Sequence, residues 1–173
     1  EVVKYAFIGN KRLHKILQEN SQKIKKRNLS VLEQIIEESI KTKSKIVTRD
    51  EKESGIRAIL NFGHTFGHAI EAFHRYKGIT HGAAVTLGML IAAKISYFEG
   101  HMKTHQLDNM INLIDSLGLD GDYKNYKFQN LKKYLFNDKK VSSGKLNLIL
   151  INAKGIAFKT SEFKKKNLEK PFN

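Results

Sequence analysis

Four polar residues in one stretch of the sequence have the types and the spacing to bind a metal or an anion. They follow one another at intervals of four, three and four positions: Arg57, Asn61, His64 and His68. On a helix that turns about 100° per residue, the four side chains fall within roughly a 60° arc. A face with a guanidinium, an amide and two imidazoles is costly to bury unless it meets a metal or an anionic ligand. The spacing therefore predicts a ligand site on one helix face.

Two chemistries fit the histidine pair. His64 and His68 can both bind one metal, as in zinc proteases, but that motif has Glu directly after the first histidine, where this sequence has Thr65. The division that fits better makes one histidine a metal ligand and lets the other reach the substrate, with His81 presented to the same pocket past the small Gly82. A helical histidine pair on its own is more often structural. The arginine and the amide on the same face favour a functional interpretation.

The amino-acid composition limits the kinds of binding partner that this protein can have. The chain has 173 residues, with 31 basic and 17 acidic side chains and a net charge of +14, which favours anionic partners such as nucleic acid, a membrane surface or a phosphorylated and carboxylated metabolite. It has no cysteine, so a metal must be held by His, Asp or Glu. We find no signal peptide and no apolar run of the roughly 18 residues that a membrane span needs, and we expect a soluble protein. Because the sequence begins with Glu1 in a helical pattern, we expect the downstream part of a longer protein.

Helical periodicity accounts for most of the chain. The predicted helices are an opening helix, Lys11 to Glu19 as its continuation or restart, Ser30 to about Val47, about Ile56 to Tyr76, Thr80 or His81 up to Gly100, Thr104 to Gly118, and a short helix around Phe128, Leu131 and Leu135. The lysine-rich stretch from Asn20 to Asn28 is predicted to be a loop. The helix after His81 is apolar nearly all round, which is typical of a central buried helix.

The pattern changes to a period of two near the end of the chain. Leu146, Leu148 and Leu150 alternate up to a turn at Asn152 to Gly155, and Ile156 to Thr160 follow as a partner strand. The hydrophobic content of 40% is enough for a core. The sequence therefore predicts a mainly α fold with one late β-hairpin, in a single domain over residues 1–173.

Other polar residues have ordinary explanations when they are taken alone. Glu1 and Lys4, like Glu53 and Arg57, have the spacing of weak surface ion pairs on a helix. The lysine-rich end of the third predicted helix, which includes Lys43, is explained by solvation and by the helix dipole. The segment Asp138–Lys140 is typical of a turn or of a basic hook for phosphate. The remaining histidines are expected at the surface: His14, His74, His101 and His105.

Taken together, these motifs closely resemble the C-terminal domain of the 3-dehydroquinate synthases. The resemblance covers nearly the whole chain and depends on five segments: Glu1–Lys4, Asp50–Arg57, Leu60–Glu71, His81–Gly82 and Asp138–Lys140. That family has an N-terminal domain that binds NAD on a Rossmann-like sheet, and a mainly helical domain that carries the metal, with the active site in the cleft between them. The resemblance implies that this chain is the helical domain of the dehydroquinate synthase-like fold, and that the upstream NAD-binding domain is absent from it.

The resemblance also implies roles for individual residues. The metal, Zn²⁺ or Co²⁺, would be held by Glu1, His64 and His81. The substrate's carboxylate and hydroxyls would be bound by four residues: Lys4, Lys43, Arg57 and Asn61. Its phosphate would be met by His68 and by one lysine of the pair Lys139 and Lys140. Glu53 and His68 are the residues implied in catalysis, Glu53 through proton transfer.

The family's reaction converts 3-deoxy-D-arabino-heptulosonate 7-phosphate to 3-dehydroquinate and phosphate in the shikimate pathway, with NAD as a catalytic cofactor. We expect a cytoplasmic enzyme, a homodimer when full length, and no turnover by the 173-residue chain alone. The nearest alternative is a related NAD- and metal-dependent cyclase such as 2-deoxy-scyllo-inosose synthase, which needs no carboxylate clamp; metal-dependent alcohol dehydrogenases are more distant. A basic nucleic-acid-binding module is disfavoured because the basic residues are spread along amphipathic helices. We therefore expect no nucleic-acid and no membrane partner.

Overall fold

The computed structural model describes residues 1–53, 55–119, 125–137, 141–142 and 145–173. Its α-helices are α1 Val2–Phe7, α2 Lys11–Glu19, α3 Ser21–Lys25, α4 Leu29–Arg49, α5 His64–Phe73, α6 His81–Phe98, α7 Thr104–Ser116, α8 Phe128–Asn137 and α9 Lys165–Glu169. Short 3₁₀ helices occupy Ile56–Asn61 and Lys170–Phe172. The strands are β1 Val141–Ser142, β2 Lys145–Leu146, β3 Leu148–Ile151 and β4 Ala157–Thr160.

The centre of the fold is α6, as its apolar composition predicts. Met89, Ile91 and Ile95 are fully buried there, and α6 packs against α5, α7 and β3. Among the described residues, α6 is the one helix long and apolar enough to cross a membrane, and 67% of it is buried inside the protein. The core helix of a soluble protein passes the same test, so α6 is weak evidence for a membrane span.

Three glycines let α5 and α6 approach each other closely. Gly63, which has a left-handed φ of 82°, and Gly67 lie against Gly88 of α6. A Cβ atom on Gly88 would lie 2.0 Å from the carbonyl oxygen of Gly63 and 2.7 Å from the amide nitrogen of Gly67. The backbones therefore touch at this point, and there is no space for a side chain between them. This explains why glycine occurs twice in the motif segment despite its low helix propensity.

The predicted single helix from Ile56 to Tyr76 is wrong. The segment forms the 3₁₀ helix Ile56–Asn61, an extended residue at Phe62, a left-handed turn at Gly63 and then α5. The break follows from packing, because Phe62 is fully buried and the backbone of Gly63 lies against α6. The helix also ends early, at Phe73, before Arg75 and Tyr76, which adopt positive φ angles. The proposed single helix face for Arg57, Asn61, His64 and His68 therefore does not exist.

Smaller differences from the predicted helices concern their ends. The stretch predicted as a loop contains α3, and α4 is capped by Asn28, whose Oδ1 accepts from the amide of Val31, rather than by Ser30. Of the four histidines expected at the surface, His105 is exposed and the other three are partly buried. The Nε2 atom of His74, for example, lies 2.7 Å from the hydroxyl of Tyr126.

The predicted late hairpin is confirmed. Strands β3 and β4 are antiparallel, with Leu148 opposite Thr160 and Ile151 opposite Ala157. The backbone amide of Ile151 donates to the Ser96 hydroxyl of α6 at 3.1 Å, which ties the hairpin to the central helix. A second ladder of two residue pairs, between β1 and β2, was not predicted. The pair Lys139 and Lys140 lies outside the described residues.

Candidate metal centre

Three helices begin at one point, and their first turns bring Glu1, His64 and His81 together. Glu1 directly precedes α1, while His64 and His81 are the first residues of α5 and α6. Oε1 of Glu1 lies 3.1 Å from Nε2 of His64 and 3.7 Å from Nε2 of His81. One ligand atom from each of the three residues lies within 4.8 Å of the other two. This is the set that the resemblance implied, and it has the donor types and proximity of a metal site.

The second ring nitrogen of each of these histidines also has a contact. Nδ1 of His64 lies 3.2 Å from the carbonyl oxygen of Phe62, and Nδ1 of His81 lies 3.1 Å from Oε1 of Glu71. A carbonyl or carboxylate oxygen can only accept, so both Nδ1 atoms donate. Nε2 of each ring then lies on the side of Glu1, and its lone pair would become available to a metal that takes the place of the hydrogen which Nε2 of His64 donates to Glu1. Metal-binding histidines in proteins are held in this way.

Charged neighbours keep Glu1 ionised. A hydrogen bond with His64 is the largest cause that holds the pKa of Glu1 well below its usual range; burial opposes this effect, and Lys4 adds to it. Nζ of Lys4 lies 2.6 Å from Oε2 of Glu1, and the Lys4 side chain is only 4% exposed. Burial lowers the pKa of Lys4, the contact with Glu1 raises it, and the charge of Lys43 lowers it further. Lys4 is thus paired with Glu1, and Lys43 is near enough for its charge to act on Lys4.

His68 belongs to the same cluster. The ring centroids of His68 and His64 are 5.5 Å apart, and those of His68 and His81 are 6.1 Å apart. A second possible metal set consists of His68, Glu71 and His81, whose ligand atoms also lie within 4.8 Å of one another. The structure therefore offers two overlapping sets that share His81. Sequence reasoning quoted Glu71 as part of a motif and gave it no role.

Two other predicted site residues, Glu53 and Arg57, belong to a loop that follows α4. We call residues 50–53 and 55–57 the Asp50 loop. Oδ2 of Asp50 accepts from the backbone amides of Gly55 and Arg57 at 2.8 and 2.9 Å. Arg57 donates from Nη1 to the carbonyl oxygen of Glu51 at 2.6 Å. Asp50 therefore organises this loop, a role that its position after a helix and before a glycine could have indicated.

Glu53 is the strained residue of the Asp50 loop. Its φ of 54° is in the left-handed region, which is uncommon for a residue other than glycine and costs about 1–3 kcal/mol. Its Oε1 accepts from Nδ2 of Asn61 at 2.8 Å, and its Oε2 lies 3.9 Å from Nε of Arg57. The structure thus brings Glu53, Arg57 and Asn61 together with one another. Strain of this kind is often found at functional sites.

A cavity of about 250 Å³ lies between this group and the hairpin. Glu53, Asn61 and Thr65 line one side, and Asn147 and Lys159 line the other. Lys159 on β4 was not predicted to line a cavity, because nothing in its sequence pattern sets it apart from the other exposed lysines. The cavity shows that the hairpin contributes polar groups beside the motif segment.

Comparison with known proteins identifies the family of this chain. A family model described as the C-terminal part of 3-dehydroquinate synthase matches residues 1–141. The chain belongs to this family. A 3-dehydroquinate synthase from Dictyoglomus thermophilum is 42% identical over 150 residues, which are 87% of this chain and 42% of the relative. One from Ruthia magnifica is 37% identical over 177 residues, covering 100% of this chain and 48% of the relative. The chain thus spans about half the length of the curated 3-dehydroquinate synthases it matches.

Two solved structures have similar folds. A 2-epi-5-epi-valiolone synthase from Streptomyces hygroscopicus subsp. jinggangensis, with NAD⁺ and Zn²⁺ bound, superposes with a TM-score of 0.85. It is 16% identical, and the match covers 98% of this chain and 47% of that chain, so it shows the fold alone. A 2-deoxy-scyllo-inosose synthase complexed with carbaglucose-6-phosphate, NAD⁺ and Co²⁺ is 28% identical, with a TM-score of 0.71 over 82% of this chain and 41% of that chain. The mainly helical fold predicted from the resemblance is confirmed.

Proposed function

We propose that this chain is the metal- and substrate-binding part of a cytoplasmic 3-dehydroquinate synthase. The proposed reaction converts 3-deoxy-D-arabino-heptulosonate 7-phosphate to 3-dehydroquinate and phosphate in the shikimate pathway. The observation that carries the proposal is the convergence of Glu1, His64 and His81 at the first turns of three helices, in a chain of this family. NAD would be held by the part of the relatives' length that this chain does not span.

The donor set fits the proposed metal. Two imidazoles and one carboxylate are typical of a catalytic zinc site, which leaves positions open for the substrate. Glu1 is held ionised, and both imidazoles turn Nε2 toward it, so a bound Zn²⁺ or Co²⁺ would replace the hydrogen that Nε2 of His64 donates to Glu1. When bound, the metal would act as a Lewis acid that lowers the pKa of a substrate hydroxyl.

Other residues of the chain are proposed to bind the substrate and to transfer protons. The cations Lys4 and Lys43 are near enough to interact and are suited to an anionic group of the substrate. His68 lies beside the metal set, where an imidazole can bind phosphate or pass a proton near neutral pH. Glu53 is an exposed carboxylate in the Asp50 loop, where it can accept a proton once substrate displaces the amide of Asn61. Lys139 and Lys140 remain predictions.

Zinc binding by variants of the 173-residue chain tests the ligand set. We expect that His64→Ala and His81→Ala each abolish stoichiometric zinc binding, measured by calorimetry, while the matched variant His68→Ala retains it. The reason is that the proposed set uses His68 on the substrate and not on the metal. Loss of zinc from His68→Ala as complete as from His64→Ala would favour the overlapping set and contradict the assignment.

The second candidate function is that of a 2-deoxy-scyllo-inosose synthase-like cyclase, favoured by the similarity to a solved structure at 28% identity. Phosphate release by the full-length protein distinguishes the two. We expect release from 3-deoxy-D-arabino-heptulosonate 7-phosphate and none from glucose 6-phosphate, which has no carboxylate for the arginine and lysines to bind. The reverse preference would establish the second function in place of the first.

A further inference from the structure

A partly buried carboxylate holds the most exposed member of the proposed metal set. Glu71 lies on α5, and its Oε1 is 3.1 Å from Nδ1 of His81. The Glu71 side chain is 13% exposed, whereas the side chain of His81 is 48% exposed. His81 is the first residue of α6, and nearly half of its side chain lies in solvent, so packing alone fixes its ring weakly. The contact of this ring with Glu71, at 3.1 Å, is shorter than its contact with Glu1, at 3.7 Å.

We infer that Glu71 is a positioning residue that fixes the tautomer and ring orientation of His81 for the metal. The inference rests on the proposed function, because it takes Glu1, His64 and His81 as the ligand set. An ionised carboxylate only accepts hydrogen bonds, so it stabilises the tautomer with hydrogen on Nδ1. The lone pair is then on Nε2, the atom that lies 3.7 Å from Oε1 of Glu1.

The same contact bears on the choice between the two overlapping sets. In the competing set of His68, Glu71 and His81, Glu71 would itself be a ligand. In the proposed set, Glu71 is paired with Nδ1 of His81 and leaves the metal to Nε2. His64 is held by the equivalent contact with the carbonyl oxygen of Phe62 at 3.2 Å. The two imidazoles are thus oriented in the same way, one by a backbone oxygen and one by a side chain that substitution can remove.

Two substitutions of Glu71 separate positioning from coordination. The amide of Glu71→Gln still accepts a hydrogen bond from Nδ1 but is a poor metal ligand, whereas Glu71→Ala can do neither. We expect Glu71→Ala to weaken zinc binding about 10- to 100-fold, the usual effect of losing a partner of a metal-bound histidine. We expect Glu71→Gln to restore most of this affinity. Glu37→Ala, which removes an exposed carboxylate paired with Lys41 on α4, is the matched control and should bind zinc as the unaltered chain does.

The measurements are zinc affinity by competition with a chromophoric chelator, and the His81 tautomer by nitrogen-15 NMR of the metal-free chain. We expect the tautomer with hydrogen on Nδ1 in the unaltered chain and in Glu71→Gln, and a shift toward hydrogen on Nε2 in Glu71→Ala. The NMR spectrum also shows whether a variant is folded. If Glu71→Ala does not fold, the zinc affinity and the tautomer of Glu71→Gln distinguish a positioning role of Glu71 from metal coordination.

Three results would overturn the inference or the site on which it rests. If Glu71→Ala changes neither the affinity nor the tautomer, Glu71 has no positioning role. If Glu71→Gln loses zinc as completely as His81→Ala does, Glu71 is a ligand. If His64→Ala and His81→Ala bind zinc normally, the proposed metal set itself is wrong, a failure that is separate from the first two.

Discussion

Replacing Gly88 with alanine should separate the two helices that carry the histidines. The new Cβ atom would lie 2.0 Å from the carbonyl oxygen of Gly63, whereas ordinary contact begins near 3.4 Å, so the backbone of α5 must retreat by about 1.4 Å. Overpacking typically costs about 1–3 kcal/mol and occasionally more. Because the clash is with backbone, we expect the upper end of that range. The higher helix propensity of alanine offsets about 1 kcal/mol of it.

The expected net loss of about 2 kcal/mol corresponds to a drop in Tm of roughly 4–8 °C for a protein of this size. A thermal melt of the metal-free chain followed by circular dichroism measures it. Gly63 directly precedes His64, so the same displacement moves His64 away from His81. We therefore also expect zinc affinity to fall at least about tenfold, since ligand positions matter on the scale of tenths of an ångström.

Gly82→Ala is the matched control for this substitution. It lies in the same helix, and a Cβ atom added there would meet nothing within 4 Å. We expect its Tm to stay unchanged or to rise, because only the propensity effect applies. If Gly88→Ala melts within about 1 °C of the unaltered chain and binds zinc equally well, the close contact between α5 and α6 does not position the site, and the reasoning is refuted.

Two further substitutions test the Asp50 loop and a partly buried histidine. In the full-length protein, the proposed substrate site predicts that Arg57→Lys raises KM about tenfold or more despite keeping the charge, because the single donor group of lysine cannot replace the two parallel hydrogen bonds of a guanidinium to a carboxylate. Unchanged steady-state kinetics would remove Arg57 from the proposed substrate site. Burial lowers the pKa of His14 below its ordinary value of 6.5, so the unfolded chain binds the proton more tightly and stability is lost as the pH falls below that value. We therefore expect urea unfolding to show a smaller loss of stability between pH 7 and pH 5 for His14→Gln than for the unaltered chain; an equal loss would show that His14 does not contribute.

The sequence predicts the elements of this fold better than it predicts their breaks. The apolar run of α6 predicts a buried helix and the alternation of Leu148 and Leu150 predicts a strand, and both elements are present. The helix proposed for Ile56 to Tyr76 fails because its periodicity continues across a turn that only tertiary packing requires. Phe62 fits a helical stripe equally well, and nothing local shows that its burial turns the chain at Gly63.

In the candidate site, too, the contacts that depend on tertiary packing could not be predicted from the sequence. The histidines His64 and His68 are one turn apart on α5, so their proximity could be predicted from spacing alone. The approach of Glu1 to them could not, because it depends on how α1 packs, and it was implied only by the resemblance. Arg57 and Asn61 were placed with the histidines by a helix that does not exist, and the structure places them with Glu53 instead.

The convergence of three helix beginnings also has a consequence for the order of folding. α1 has six residues and is far too short to be stable alone, since isolated helices need roughly 12–15 residues. We therefore expect Glu1 to reach the histidines late in folding, because the chain between Glu1 and His64 must first close a long loop, at an entropic cost that grows with its length. A metal that needs all three residues can bind only when most of the native structure has formed. Such a metal would slow unfolding and leave the rate of folding nearly unchanged. It would therefore increase the kinetic stability of the protein without making it fold faster.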